Sequence, residues 1–399
     1  MITDARGRVI AQGSKDIAIH LGVMAFTVRA FLERVDPASL RPGDVYYTNA
    51  PDVGGNHLPD VKAIRPVFFK DELVAFSVNL AHWPDIGGAI AGSYYTRATE
   101  IYQEGLQIPP LPVFREGLVD PLLLELVMIN VRNREEREGD LFAQYACNEV
   151  ADRRLQEVFG QHGRDCVLQC FAHFLEESDR RMRSAIQGLP DGLYCGEDYL
   201  DDDGITRNPV KLAVQVTIKG DSVEFDFSES ASQTAGPLNC TYFTTCSAVY
   251  YAIKALVGPE IPPNEGCYRC ITVSALRGSM ATAATRLRGV TGGGRSCFGF
   301  ALLGFARDLG GPDGWGEVIT IDPSYTDGFS DWFVHQRGGG PYNDAPMVRN
   351  GQLVNEPGYV TDVITDEALR LLDRYAGDAY PFYLSVHYTA PHSPWTGHP

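Results

Sequence analysis

An α+β fold, with mixed or antiparallel sheets and one helical block, is what the sequence predicts, on three observations. Strand and turn signals crowd residues 40–115, a helical pattern runs from Asp120 to Ile186, and strand-length runs parted by tight turns resume at Tyr194. Strands and helices gathered into separate runs, without βαβ alternation, mark that class. The 399 residues leave room for two or three domains at roughly 100–200 residues each.

The chain opens as though already inside an element. Arg8-Val9-Ile10-Ala11 reads as a strand, and a helix from Met24 to Val35 is stopped by Asp36-Pro37. Arg41-Pro42-Gly43-Asp44 turns the chain into Val45-Tyr46-Tyr47, and Ile108-Pro109-Pro110-Leu111-Pro112 forms a later strap. In the helical block Leu123, Leu126, Val127 and Asn130 share a face, then comes the charged stretch Arg132 to Glu138, then a run through Leu155, Val158, Val167 and Phe171. Leu189-Pro190-Asp191-Gly192 ends the block. Strands follow at Tyr194–Tyr199, Val210–Ile218 and Ser222–Phe227, a pattern that suits an antiparallel meander. A helix at Ala248–Leu256 and a strand at Ile271-Thr272-Val273 complete this part.

From about residue 290 the glycine groups 292–294, 310–312 and 338–340 punctuate a stretch of little periodicity, so a boundary is expected there. A helix at Thr365–Tyr375 and a strand at Phe382–Val386 restore order before Pro399.

Composition excludes several classes. Thirty-four basic against 51 acidic residues give a net charge of −17, which repels phosphate backbones and anionic lipid, so neither nucleic acid nor a membrane is an expected partner. No apolar run approaches the ~20 residues of a membrane helix. MITDARGRVIAQ lacks the apolar core of a secretory signal, and the cytoplasm is the expected location. Of nine cysteines only Cys267 and Cys270 form a CxxC, and without a second pair they read as buried reduced thiols.

The sharpest chemistry lies in Gly54-Gly55-Asn56-His57-Leu58-Pro59-Asp60 and Ala81-His82-Trp83-Pro84-Asp85-Ile86-Gly87-Gly88. Each carries a histidine and an aspartate three apart. Val61–Phe69 and Leu73–Ala81 between them read as strands joined by Lys70-Asp71-Glu72. Paired antiparallel about Asp71, opposed residues sum to 142, so Asp60 faces His82 and, by extrapolation, His57 faces Asp85. Opposed Cα atoms lie about 4.5–5.5 Å apart, close enough for imidazoles and carboxylates to converge on one cation. Imidazole nitrogen with carboxylate oxygen suits Mn, Zn or Fe. The competing reading is a sheet edge capped by histidine–carboxylate hydrogen bonds.

Asp85 is the candidate for orienting a ligand or accepting a proton. His20, just before a helix, can reach the same face and is the second catalytic candidate, against a purely structural role. Glu104, beside a turn, either lines a pocket or caps a strand. Asp201-Asp202-Asp203-Gly204 lacks the spacing and closing glutamate of an EF-hand and reads as a solvated turn. GxxxxGK[ST], GxGxxG between strand and helix, and GxSxG are all absent, which leaves nucleotide binding without sequence support and removes the usual hydrolase elbow.

These residues resemble the B-subunit family of N-methylhydantoinase and 5-oxoprolinase, which includes the α-subunit of acetone carboxylase. The likeness runs from about residue 3 to 285 through DARGRVIAQ, IHLG, LRPGDVY, GGNHLPDV, AHWPDIGG, EIYQEGLQIPP, NVRNREEREGDL, LPDGLYCGEDYLDDDG, GPLNC and PPNEGCYR. It implies that His57, Asp60 and His82 correspond to the metal ligands of the carboxylase member. Trp83-Pro84 stands where the family commonly has His-Ala. The resemblance also implies an ATP-binding A-type partner subunit that activates the substrate by phosphorylation, hence a hetero-oligomer and ATP-dependent opening of a cyclic amide. Acetone-carboxylase-type chemistry is the alternative.

Residues 327–399 instead resemble part of a sulfatase, through DGFSDWFVHQRGGG, MVRNGQLVNEPGYVTDVITDEALRLLDR and PFYLSVHYTAPHSPW, with His392 at the family's sulfate-contacting histidine. The formylglycine motif C/S-x-P/A-x-R is missing, Arg295-Ser296-Cys297-Phe298-Gly299 lacking its Pro/Ala and Arg, so sulfatase activity is not expected. The expected organisation is therefore a partial hydantoinase-B-like domain at 1–289, a glycine-rich junction at 290–326 and a partial α/β sulfatase-like fragment at 327–399. A third reading is an inactive composite of two truncated genes.

Overall fold

The computed structural model describes residues 1–13, 20–282, 333–335, 344, 346–349 and 352–375. The chain divides into two compact units, Met1–Phe305 and Ala306–Pro399.

The first unit is built on an antiparallel sheet of seven strands. In chain order these are β1 (Ile2–Asp4), β2 (Val9–Ala11), β3 (Val45–Thr48), β4 (Asp60–Phe69), β5 (Glu72–His82), β6 (Leu111–Arg115) and β7 (Leu118–Val119). In space they run β2-β1-β5-β4-β3-β6-β7. β4 and β5 form the hairpin read from the sequence, with Asp60 opposite His82 and the 142 register kept as far as Val67 opposite Ala75. A bulge then slips the register, and the turn contracts to Lys70-Asp71, not the expected Lys70-Asp71-Glu72. Both turn residues take left-handed backbone, φ 50° and 65°, the geometry that matches a two-residue turn to strand twist.

Helices cover both faces. Helix α1 (His20–Leu32) lays Met24, Val28 and Phe31 on Tyr46, Ile64, Phe76 and Val78. It includes His20, ahead of the predicted Met24, so His20 lies within the helix and not before it. The opposite face receives α2 (Pro121–Met128) and α3 (Arg134–His162), which bury Val127, Met128 and Leu141 among Tyr47, Val61, Ala63 and Trp83. The buried stripe of α2 continues to Val131; it is not the predicted 123/126/127/130 face, and Leu126 is exposed. Along α3 Phe159 turns inward and Val158 outward.

Much of the α3–sheet contact is polar. Gln144 Nε2 donates to Val61 O at 2.9 Å, Trp83 Nε1 donates to Gln144 Oε1 at 3.0 Å, and Ser77 Oγ donates to Asn148 Oδ1 at 2.8 Å. Such a face leaves weak hydrophobic periodicity, which is why the charged stretch Arg132–Glu138 reads as a break although α3 starts within it.

Helix α4 (Arg164–Ile186) packs Val167, Phe171 and Leu175 beside Phe159 and Ile10. The second sheet comprises β8 (Gly192–Leu200), β9 (Val210–Lys219) and β10 (Ser222–Asp226), an antiparallel meander, with β11 (Ile271–Ser274) added parallel to β10. Helix α5 (Tyr242–Val257) lies between, packs against α1, and is longer than the predicted Ala248–Leu256.

In the second unit β12 (Phe333–His335), β13 (Pro346–Arg349) and β14 (Gln352–Asn355) form an antiparallel sheet, followed by α6 (Val360–Tyr375). Met347 is buried against Val354, Tyr359, Val363 and Ile364, and Glu367 accepts from Arg349 and Arg370. The helix begins at Val360, before the predicted Thr365. The predicted strand at 382–386, His392, Cys297 and the three glycine groups lie outside the described residues. Among the described residues no helix is long and apolar enough to cross a membrane.

Candidate metal centre

The open end of the β4–β5 hairpin gathers His57, Asp60 and His82, each offering a ligand atom within 4.8 Å of the others. Register places Asp60 opposite His82. The loop before β4 brings His57 back over Asp60, with Nδ1 3.3 Å from Asp60 Oδ2. The imidazoles of His57 and His82 meet edge to face, 4.9 Å between centroids. His57 and Asp60 are buried while His82 is exposed, so the cluster opens to solvent on the β5 side.

The loop fits because glycine lines it. A Cβ on Gly55 would lie 2.3 Å from Pro51 Cα, and one on Gly54, at φ +66°, 2.6 Å from Thr27 Oγ1 in α1. Asn56 Nδ2 donates to Asp60 Oδ2 at 2.8 Å. Asn56 Oδ1 accepts from Thr244 Oγ1 at 3.1 Å, Thr244 Oγ1 lies 3.0 Å from Thr241 Oγ1, and Thr241 Oγ1 donates to Gly55 O at 2.9 Å. The first turn of α5 thus clamps the loop that carries His57. Lys62, wholly buried, donates from Nζ to Gly54 O at 2.5 Å. Burial pulls its ammonium down to about 8, the neighbouring Asp60 carboxylate pulling the other way.

His20 reaches the cluster from α1, its Nε2 3.9 Å from Asp60 Oδ2, as a neighbour of the carboxylate and not one of the three converging groups. Asp85 does not join it. Beyond the hairpin the strands part, and the extrapolated pairing of His57 with Asp85 fails. Asp85 Oδ1 accepts from Gly87 N and Arg132 N at 2.8 and 3.1 Å, and Oδ2 from Gly92 N and Arg132 Nη1 at 2.9 and 3.1 Å. Burial opposes its charge, but these four donors outweigh it and hold the carboxyl below the usual range. Asp85 thereby ties the loop that follows His82 to Arg132. Gly88, at φ +85°, passes so close to the turn at Ile101–Gln103 that a Cβ would lie 2.6 Å from Gln103 O. Glu104 is buried at the end of that turn.

Trp83 is fully buried and donates to Gln144, so the residue standing in place of the family's histidine belongs to the core. Asp203 likewise folds its turn, accepting from Ile205 N, Thr206 N and Gly236 N. Cys267 and Cys270 are buried, and burial raises both thiols, Cys270 to about 12. The residue that sequence reasoning missed is Tyr94. Its hydroxyl lies 3.0 Å from Nε2 of His57 and 3.0 Å from Nε2 of His82. No local pattern marks it; only the loop closed by Asp85 and Ser93 returns it to the hairpin.

The donor set, two imidazoles and a carboxylate backed by hydrogen bonds, suits a divalent cation with positions left for other oxygen ligands. Fold and cluster together define a mixed α/β protein with an antiparallel core sheet and a candidate three-residue metal centre at the mouth of its central hairpin. A family model described as hydantoinase B/oxoprolinase matches residues 1–296, and the chain belongs to that family. It is 36% identical over 265 residues to the caprolactamase subunit beta of Pseudomonas jessenii, covering 66% of this chain and 45% of that protein. The crystal structure of ATP-dependent caprolactamase from Pseudomonas jessenii superposes with a TM-score of 0.69 at 32% identity, over 76% of this chain and 52% of that one. An acetone carboxylase structure gives the same TM-score at 18% identity, over 88% of this chain and 48% of that one, a likeness of fold. The chain spans about half the length of these relatives.

Proposed function

We propose that this chain supplies the metal-dependent part of an ATP-dependent opening of a cyclic amide, as the B-type subunit of a hydantoinase or oxoprolinase. The single observation that carries the reading is the convergence of His57, Asp60 and His82 within 4.8 Å at an opening to solvent. Family membership and the names of the relatives, a caprolactamase subunit among them, support a lactam-like substrate.

His57, Asp60 and His82 would hold the cation, Mn, Zn or Fe. Bound there, a divalent cation supplies Lewis acidity toward an activated carbonyl and makes water acidic enough to attack near neutral pH. The chain's own residues do the rest. Asn56 fixes Oδ2 of Asp60, His20 stands behind the same carboxylate, and the Asp85 clasp holds the loop that walls the entrance. The sequence holds no phosphate loop, and a relative named as a subunit points to ATP arriving through an A-type partner in a hetero-oligomer. Residues 290–326 are read as a junction and 327–399 as a sulfatase-family fragment, on sequence likeness alone.

The test loads the full chain with Mn, Zn or Fe and measures metal stoichiometry by mass spectrometry, then assays ring opening of hydantoin, 5-oxoproline and caprolactam with a co-expressed A-type subunit and ATP. One equivalent of cation, lost in His57→Ala and His82→Ala, with ATP-coupled ring opening, is the expected result. Carboxylation in place of ring opening would favour the acetone-carboxylase alternative, and absence of both would favour the inactive composite.

A further inference from the structure

The Tyr94 phenol is the part of the cluster that neither the hairpin nor the clamp from α5 explains. Its hydroxyl stands 3.0 Å from Nε2 of each imidazole. Its ring lies nearly parallel to His82, 17° at 5.9 Å, and edge-on to His57, 79° at 5.6 Å. His57 is 3% exposed, yet Tyr94 is 46% exposed, so the phenol covers the solvent side of a buried group. Just behind it Ser93, left-handed at φ +57°, is pinned: Ser93 Oγ accepts from Ile86 N at 2.9 Å and donates to Gly87 O at 2.7 Å. A fixed pivot with an exposed ring beyond it lets the ring move by side-chain rotation without unfolding the loop.

We infer that Tyr94 is a cap that competes for Nε2 of His57 and Nε2 of His82 with a divalent cation bound through those two atoms, and that its hydroxyl gives up both when the ion enters from the solvent side. A phenol carries one proton, so it donates to one Nε2 and accepts from the other, and a cation held through these two Nε2 atoms needs the lone pairs that the hydroxyl occupies or that the N–H tautomer withholds. Entry of the ion therefore forfeits two hydrogen bonds, which lowers affinity by roughly five- to hundredfold relative to a site without them. This inference rests on the cation reading of the cluster.

The test titrates the full chain with Mn²⁺ and with Zn²⁺ by calorimetry, in wild type, Tyr94→Phe and His82→Ala, and follows 3-fluorotyrosine by ¹⁹F NMR, the Tyr94 resonance being the one absent from Tyr94→Phe. Phenylalanine keeps the ring and removes only the hydroxyl. The expected results are a dissociation constant about five- to hundredfold lower in Tyr94→Phe, and a Tyr94 resonance that shifts on addition of cation to the wild type. Unchanged affinity overturns the cap. Weaker binding in Tyr94→Phe overturns it too, making the hydroxyl a ligand. A wild type that takes up no cation, or takes up as much as His82→Ala, refutes the cation reading itself, and the cap falls with it.

Discussion

Asp85→Asn separates a loop clasp from a catalytic base, because the two roles predict opposite pairs of outcomes. The Asp85 carboxylate accepts from Gly87 N and Arg132 N on one oxygen and from Gly92 N and Arg132 Nη1 on the other. An asparagine keeps one oxygen and turns an NH₂ toward the other pair. The cheaper choice faces the NH₂ to Gly92 N and Arg132 Nη1. That loses one charge-assisted bond from a backbone N–H, about 1.5–3 kcal/mol, and one from a half-exposed guanidinium, about 1 kcal/mol at most. The expected destabilisation is therefore about 2–4 kcal/mol, read as the shift in urea midpoint of the full chain by circular dichroism. Cation affinity of the folded variant should fall by no more than about threefold, since the carboxylate's bonds run to Gly87, Gly92 and Arg132 and not to the three converging groups. The sign of the pH dependence follows from the lowered carboxyl: its stabilisation is present above the unfolded value of about 3.9 and is lost as pH falls through the folded one, and Asp85→Asn should flatten that acid limb. Stability within about 0.5 kcal/mol of wild type, together with a cation affinity or turnover reduced more than about a hundredfold, would refute the clasp and restore Asp85 to the chemistry.

Three further outcomes follow from the same geometry. Thr244→Val leaves the buried Asn56 Oδ1 without the Thr244 hydroxyl and should cost about 1–3 kcal/mol in urea unfolding and weaken cation binding about tenfold by calorimetry, through the Asn56–Asp60 contact. In Asp203, burial raises the carboxyl but the N–H groups of Thr206, Ile205 and Gly236, with the Thr206 hydroxyl, lower it overall; Asp203→Asn should destabilise by about 2 kcal/mol at pH 7, lose that effect as pH falls from the unfolded value of about 3.9 through the lowered folded one, and leave the melting temperature indifferent to Ca²⁺. Iodoacetamide at pH 8 should label the exposed Cys147, Cys166, Cys170 and Cys195 quickly and the buried Cys240, Cys246, Cys267 and Cys270 only on unfolding, as mass spectrometry of peptides would show.

The hairpin was the most legible part of the molecule. Alternating apolar runs, a short polar turn and period-two pairing place Asp60 against His82 by arithmetic, and the real turn, one residue shorter, moves the register only at the closed end. Helix α2 was legible as a helix but not in its facing. Leu122, Leu123, Leu124, Leu126, Val127, Met128 and Ile129 are all apolar, so no periodicity selects a stripe, and docking on the sheet decides that Val127 and Met128 go in. Helix α3 hid its beginning for the opposite reason: Arg137, Gln144 and Asn148 are among its buried residues, and a polar core face resembles a solvated one.

Short-range physics in the chain therefore settled the central ribbon and with it the opposition of Asp60 and His82, because pairing partners twenty-odd residues apart follow from strand period and turn. The surroundings of that meeting point came only from folding in three dimensions. His20 arrives on α1, Thr241 and Thr244 on the first turn of α5, and Tyr94 by a loop that Asp85 ties to Arg132. Each of these depends on packing between segments from tens to nearly two hundred residues apart, and no local pattern carries information about which distant side chain will fill a given gap.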